Sequence, residues 1–434
     1  MSGASRKSQN LNIFLEVFRQ GGKLRMALLS GHGTQMMHSA ANNRANSEFQ
    51  CTLRYHTGMF QAGRKVLFLD QYGDIGGGQR ILLDLARFAR REGWEVTVLC
   101  PDGPLTEMLR SERCSVHILR LPFMSDGAKG VLEYLRSFLF SRNAAKTFHP
   151  LAKQNDLVVV NGLRTLGIAR LWSKQLEIPT ILYLHGAYVG FQRVLISSFL
   201  RRRDTWAIAP SALVAAPFIS RKNISIIPNW FSDEFISEPT DRMILRSVLG
   251  IHDDFPLILV PGRYSPNKGQ RIVLEVSALL SDIRCHFVFA GASLFEQQGV
   301  SVEREIRAAA GNSPQRIHLL SWQRSLPHLF DGADLVVVPS LWNEPFGLTA
   351  IESMARSRPL IVSDRGTLPL LAEGGRFAEV ASPDSDSIAK CIRDFLGHRE
   401  AWGRRAEESR VHVIHHFGPG NRAQALALFN QMIP

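Results

Sequence analysis

Short runs that are apolar at nearly every position recur along this chain, each followed by a stretch of helical spacing. They fall into two blocks. The first has runs at 65–70, 95–100, 116–119, 156–160, 180–184 and 205–209, with helical spacing at 79–92, 104–112, 129–147, 163–175 and 191–203. The second extends from 257 to 416, with runs at 257–261, 285–290, 316–320, 334–338 and 359–362. A strand without polar alternation has both faces covered, and helices on both sides of a parallel sheet supply that cover. The pattern predicts two doubly wound α/β domains joined through the polar stretch at 237–254. A chain of 434 residues is too long for one ordinary core.

Residues 1–63 do not share this rhythm. Their acids are Glu16 and Glu48, against Arg6, Lys7, Arg19, Lys23, Arg25, Arg44 and Arg54. This composition fits a transit peptide or a translated leader that is not native, and Met59 is the expected biological start. Residues 1–63 are therefore set apart as a poorly structured leader.

The net charge of +12 points to anionic partners: nucleotide phosphates, an acidic membrane surface or nucleic acid. There is no zinc-ligand spacing and no compact nucleic-acid module, so nucleic acid is not expected. The five cysteines (51, 100, 114, 285 and 391) are scattered and form no Cys-x-x-Cys, which suits a reducing compartment. No apolar run is long enough to span a bilayer, and no membrane span is expected.

Two segments of the second block carry chemistry. The run Leu335-Val336-Val337-Val338 leads into Glu344-Pro345-Phe346-Gly347-Leu348-Thr349-Ala350-Ile351-Glu352. This is strand, loop and helix start, so backbone N–H groups and a positive dipole end lie at the carboxyl edge of a sheet, where anions and ligands bind. Glu344 falls in the loop. Glu352 falls one turn beyond Leu348, so one carboxylate can reach a reacting centre and the other ligand hydroxyls. Upstream, Leu257-Ile258-Leu259-Val260-Pro261-Gly262-Arg263 and Lys268-Gly269-Gln270 form strand, basic loop and helix start. Arg263 and Lys268 can clamp one diphosphate, Arg as a fork of donors and Lys as a mobile point charge. Ordinary helix-end charges and an exposed basic loop are the alternatives.

Other segments are read on the same terms. Gly73-Asp74-Ile75-Gly76-Gly77-Gly78 joins the first strand to its helix and lets backbone approach an anion, but it is not a dinucleotide fingerprint. His185 follows a strand and faces the crevice. Asp384-Ser385-Asp386 resembles a metal-binding pair but precedes an apolar helix, so a helix cap is expected and no metal. The segment 191–203 is an apolar helix ending in Arg201, Arg202 and Arg203, either a solvated basic end or a contact with an anionic membrane.

The pairing of Pro261-Gly262-Arg263 and Gly269 with Glu344-Pro345-Phe346-Gly347 and Glu352 resembles the family 4 (group 1) retaining glycosyltransferases. Ile226-Ile227-Pro228-Asn229, Ala209-Pro210-Ser211 and Arg316-Ile317-His318-Leu319-Leu320-Ser321-Trp322 are similar to further segments of that family. The resemblance covers 64–434. It implies two facing Rossmann-like domains (GT-B), 64–236 for the acceptor and 254–416 for the nucleotide-sugar. A linker at 237–253 would join them, and a helix at 417–434 would cross back to the first domain. The implied activity is metal-independent hexosyl transfer from a nucleoside diphosphate-sugar to an acceptor hydroxyl, with retention and without a cofactor. A cell-surface polysaccharide or glycolipid pathway, a glycan or lipid-linked acceptor, and a cytoplasmic location at the inner face of the membrane go with it. Arg263, Lys268 and the amides of Phe346, Gly347 and Leu348 would meet the leaving diphosphate. Glu352 would take the ribose hydroxyls, Glu344 would lie near the anomeric carbon, and His185 beside the transferred sugar. Gly76, Gly77 and Gly78 would face donor phosphate and acceptor.

The chain departs from the pattern at Trp230 and Ser321, where the family has Gly, and after Ser363, where it lacks a common acid. A nucleotide-sugar-binding protein without activity, a nucleotide-sugar epimerase and an NAD-dependent dehydrogenase are the rival readings. The last lacks its glycine fingerprint.

Overall fold

The computed structural model of the chain describes residues 14–20, 23–29, 63–122, 131–294, 297–313 and 316–433. It divides into Met1–His56 and Thr57–Pro434. In the first unit, β1 (Phe14–Gln20) pairs antiparallel with β2 (Lys23–Leu29), in a register from Phe14↔Leu29 to Gln20↔Lys23. The leader was expected to lack regular structure, yet these two stretches, rich in Phe, Leu and Val, pair with each other. Met59 lies outside the described residues.

The second unit holds two sheets, parallel throughout. The first contains β3 (Lys65–Leu69), β4 (Glu95–Cys100), β5 (Ser115–Ile118), β6 (Leu157–Val160), β7 (Thr180–Tyr183), β8 (Thr205–Ala209) and β9 (Ile224–Ile226), in the order β5-β4-β3-β6-β7-β8-β9. The second contains β10 (Leu257–Pro261), β11 (His286–Ala290), β12 (Ile317–Leu320), β13 (Leu335–Val338), β14 (Leu360–Ser363) and β15 (Glu379–Ala381), in the order β12-β11-β10-β13-β14-β15. The strand order reverses between β3 and β6 and between β10 and β13. Ligands of open α/β sheets bind at the carboxyl ends of strands beside such points. The inner strands are buried at almost every position, which is why their sequences read as unbroken apolar runs. The edge strands β9 and β15 were not foreseen, because three residues of mixed exposure leave no pattern.

The expected linker is not bare. Met243–Leu249 is a helix within it, with Leu245 and Arg246 buried. The linker is also tied to the second domain. Arg356 forks onto Asp331 (Nε to Oδ1 2.7 Å) and donates to the Ser237 carbonyl (2.8 Å), while Asp331 accepts from Thr240 N (2.8 Å).

At the other end of the chain, Gly418-Pro419 ends the Arg399–Phe417 helix, because proline cannot continue its hydrogen bonding. The Gly420–Met432 helix then packs Ala425, Leu426, Leu428 and Phe429 into the core that contains Val66 and Phe68. Trp230 is buried in the same core, and its Nε1–H donates to Asp84 (2.6 Å), which also faces Arg422 of the last helix (3.3 Å). The indole thus fastens the segment leaving the first domain to the helix that returns to it. Trp230→Phe keeps most of the packing but removes this donor. It is expected to lower unfolding free energy by about 1–3 kcal/mol in urea denaturation, and an unchanged value would remove the hydrogen bond from the account.

Candidate functional site

The carboxyl ends of both sheets open onto one cleft, with a cavity of about 720 Å³. All the site residues expected from the sequence border it: Gly76, Gly77, Gly78, His185, Arg263, Lys268, Glu344, Phe346, Gly347, Leu348 and Glu352.

The loops after β10 and β13, neighbouring strands across a switch point, form one wall. Gly269 has φ +72°, and a Cβ there would meet the Pro339 carbonyl oxygen at 2.0 Å. Only glycine lets the two loops touch so closely. Leu341 N donates to the Asn267 carbonyl at 2.9 Å and completes the junction. Lys268 is thereby placed against Glu344, Nζ to Oε1 at 2.6 Å, with Ser340 Oγ donating to the same oxygen. Glu344 is 5% exposed. Burial pushes its carboxyl upward, but the Lys268 charge and the hydrogen bonds outweigh it, and the net shift is below the ordinary value. The carboxylate is therefore ionised at neutral pH. Gln270 Nε2 donates to the Arg263 carbonyl (2.9 Å) and holds that loop against the cleft.

Gly347, at φ +106°, turns the chain into the Leu348–Ala355 helix, whose first amides point at the cavity wall. The Phe346 side chain is core, edge-on to Phe417 at 5.7 Å, so only its backbone is available to a ligand. Ser211 of the first domain donates to the Pro345 carbonyl (2.6 Å), a polar contact between the two domains at the base of the cleft.

Two expectations meet unforeseen partners. Glu352 is almost fully buried, and its carboxylate pairs with Arg80 at 2.6 Å. Arg80 comes from the Gly77–Arg91 helix across the cleft, so the carboxylate expected to serve ligand hydroxyls is here held by a cation of the other domain. Burial raises the Glu352 carboxyl even with Arg80 beside it. Of the three expected membrane-facing arginines, Arg202 turns inward, with Nε donating to Ser173 Oγ and Nη2 to the Ser173 carbonyl, both at 3.0 Å. Asp204, 3.6 Å from it, supplies the charge that draws it in. Arg201 and Arg203 are exposed. Asp384 caps the Ser385–Gly397 helix by accepting from Ser387 N (2.8 Å).

Sequence reasoning also missed two residues of the opposite wall. Asp70 follows β3 and Asn161 follows β6, both buried. Asn161 Nδ2 donates to Asp70 (2.6 Å), and Asn161 Oδ1 lies 2.6 Å from His185 Nε2. Burial pushes the Asp70 carboxyl up to about 6 and pulls the His185 imidazole down to about 4. The signal available in the sequence was their place, polar residues at the carboxyl ends of two central strands.

Comparison with known proteins agrees with this geometry. The profile of Glycosyltransferase Family 4 matches residues 75–235, and that of Glycosyl transferases group 1 matches residues 241–410. The chain belongs to the group 1, family 4 glycosyltransferases. Among its relatives are a lipopolysaccharide 1,2-N-acetylglucosaminetransferase of Salmonella typhimurium, 28% identical over 51% of this chain and 60% of that protein, and a mannosylfructose-phosphate synthase of Agrobacterium fabrum, 27% identical over 43% and 42%. The matched region thus spans about half the length of these curated relatives. Solved structures of like fold include HepE of Anabaena in complex with UDP and glucose (TM-score 0.72, 23% identity, 85% of this chain and 99% of that one). WaaG, a glycosyltransferase involved in lipopolysaccharide biosynthesis, is another (TM-score 0.62, 17%, 84% and 99%). The two parallel sheets facing one cleft are the GT-B fold of this family.

The Lys268–Glu344 pair makes a prediction about pH. In the wild type the lowered Glu344 carboxyl contributes stability that is complete above its unfolded value and is lost as pH falls through the folded one. In Lys268→Met, burial loses its main opponent and the carboxyl rises, so stability is lost as pH rises through the raised value. The wild-type advantage should widen from about pH 4 toward about pH 7, reaching about 3–5 kcal/mol in urea denaturation. A difference that stays flat with pH would contradict the pairing.

Proposed function

We propose that this protein is a retaining glycosyltransferase that moves a sugar from a nucleoside diphosphate-sugar to an acceptor hydroxyl. The observation that carries the reading is the pairing of Lys268 with the buried Glu344 carboxylate beside a helix N-terminus at the switch point of the second sheet. Departure of a diphosphate leaves negative charge at one place and an electron-poor anomeric carbon close by. Arg263, Lys268 and the amides around Gly347 and Leu348 supply fixed positive potential for the first. Glu344, ionised at neutral pH beside Lys268, supplies negative potential for the second. Glu352 takes the ribose hydroxyls once Arg80 has moved aside. All of the charge neutralisation in this reading comes from the chain itself. HepE, which shares the fold, is solved with UDP-glucose, so UDP-glucose is the first donor to try.

The acceptor is proposed to be carried at an anionic membrane surface, as a lipid-linked or surface-glycan intermediate. On the Gly190–Phe199 helix and the residue before it, Val189 (74%), Phe191 (59%) and Val194 (63%) are exposed beside Arg193. Apolar side chains next to basic ones favour an anionic interface. Among the described residues no helix is long and apolar enough to cross a membrane. A cytoplasmic, reducing location belongs to the same proposal. Cys100, Cys114 and Cys285 are buried free thiols.

A thermal-shift panel of UDP, GDP, ADP, dTDP, NAD and UDP-glucose tests the donor site. A ligand at about 100 times its Kd stabilises by roughly 2.7 kcal/mol. The expected result is a shift with one nucleoside diphosphate that vanishes in Arg263→Ala/Lys268→Ala. Prolonged incubation should yield a glycosylated product carrying the donor's own sugar. A shift with NAD alone points to a dehydrogenase, an altered sugar to an epimerase, and binding without product to an inactive nucleotide-sugar-binding protein. For the acceptor, wild type should co-sediment with phosphatidylglycerol vesicles rather than phosphatidylcholine ones, and Phe191→Ser/Val194→Ser should bind about tenfold more weakly. Equal binding by that variant would withdraw the membrane reading.

A further inference from the structure

Asp70, Asn161 and His185 follow β3, β6 and β7, three adjacent strands, and so stand side by side at the carboxyl edge of the first sheet. Asp70 is fully buried. An ionised carboxylate only accepts hydrogen bonds. Its Oδ1 accepts from Tyr72 N and Gln79 Nε2, both at 2.9 Å, and its Oδ2 from Asn161 Nδ2 at 2.6 Å. Asn161 Nδ2 also donates to the Gly78 carbonyl (3.2 Å). These two acceptors fix which way the Asn161 amide points, and its Oδ1 then faces His185 Nε2 at 2.6 Å. An amide oxygen cannot donate, so Nε2 carries the proton and Nδ1 of the neutral ring carries the lone pair.

The ring is also held in place. Tyr183 stacks on it with centroids 4.8 Å apart and planes 7° from parallel, and a Cβ on Gly78 would come within 3.2 Å of it. Tyr183 is itself anchored through its hydroxyl to Asn229 (3.2 Å). The imidazole borders the cleft, and among the described residues no hydrogen bond engages Nδ1.

We propose that Asp70 and Asn161 are positioning residues that lock His185 as its Nε2–H tautomer, so that Nδ1 accepts a hydrogen bond from a hydroxyl of the donor's sugar. This rests on the sugar-nucleotide reading given above. Burial, which holds the imidazole neutral across the physiological range, supports the acceptor role. The proton on Nε2 never leaves; the ring orients the sugar rather than moving a proton.

The test is the tautomer itself, read from long-range nitrogen–proton correlation spectra of protein carrying isotope-labelled histidine. Wild type should show Nε2–H. Asp70→Asn keeps the shape of the side chain, and its oxygen still serves Tyr72 N and Gln79. Its NH2 then meets that of Asn161, so the Asn161 amide turns over and presents its own NH2 to His185. The ring passes to the Nδ1–H tautomer and loses the acceptor. Transfer from UDP-glucose, or from whichever sugar nucleotide binds in the panel, should fall roughly tenfold or more in kcat, with UDP affinity unchanged. Asp70→Asn/Asn161→Asp restores an acceptor opposite Nε2 and should restore both tautomer and rate. The His185 Nδ1 resonance should move with UDP-glucose and stay put with UDP. A wild-type Nδ1–H tautomer overturns the proposal, and so does an Asp70→Asn protein that retains Nε2–H. An Nδ1 resonance indifferent to a bound sugar nucleotide overturns the sugar contact. If Asp70→Asn fails to fold, the wild-type spectra still decide. Binding of no sugar nucleotide defeats the donor reading and the sugar contact together, while the tautomer spectra then judge the Asp70–Asn161 lock by itself.

Discussion

The Lys268–Glu344 ion pair is the constraint around which the second domain's half of the cleft is arranged. A carboxylate as buried as Glu344 stays ionised only if a cation and good donors meet it. Lys268 reaches it because Gly269 lets the β10 loop lie directly on Pro339 of the β13 loop, and Ser340 adds a donor from that same loop. A Cβ at position 269 would separate the loops and part the charges. Backbone conformation at one glycine and ionisation at a residue of another loop are thus one requirement. The parallel order of β10 beside β13 makes it satisfiable, since only adjacent strand ends bring two such loops together.

The connections between the domains have different characters. Around the two chain crossings they are dense: Trp230, Asp84 and Arg422 on the first domain's side, Arg356, Asp331 and Thr240 on the second's. Inside the cleft they include the polar contacts of Arg80 to Glu352 and of Ser211 to the Pro345 carbonyl, beside Leu348, which packs against the cores of both domains. Breaking a buried ion pair without replacement is costly, so the Arg80–Glu352 contact can open only as a ligand in the cleft supplies new partners to both groups.

What the sequence disclosed follows from the same physics. Strands buried on both faces must be apolar at every position, so Leu157–Val160 and Leu335–Val338 were legible as a class and in place. Edge strands such as Ile224–Ile226 are half wet and short, and the Met243–Leu249 helix buries too little to show a period. The positions of the charged site residues were legible, because each stands next to a strand end or helix start that the pattern located. Their partners were not. Arg80 and Glu352 lie in different domains, and no local spacing connects them. Asp70 and Asn161 acquire meaning only from burial and from the distances that join them to His185. Trp230 read as a departure from the family pattern, and only the packing shows that the indole has a partner of its own in Asp84.

The net charge of +12 suggested a surface waiting for anions, but the cations that matter are largely committed. Lys268 has Glu344, Arg80 has Glu352, Arg422 has Asp84 and Asp233, and Arg356 has Asp331. In the proposed reading a diphosphate therefore does not fill an empty basic pocket. It competes with Glu344 for Lys268, and the ribose hydroxyls compete with Arg80 for Glu352. Binding energy at such a site is the difference between two sets of charge-assisted contacts, not the sum of one. An arrangement of this kind holds Glu344 ionised and both carboxylates in place, and in that reading it restrains donor affinity enough for a spent nucleotide to leave. In the proposed reading, loss of the diphosphate returns Lys268 to Glu344, so the pair that organises the cleft also favours release of the product.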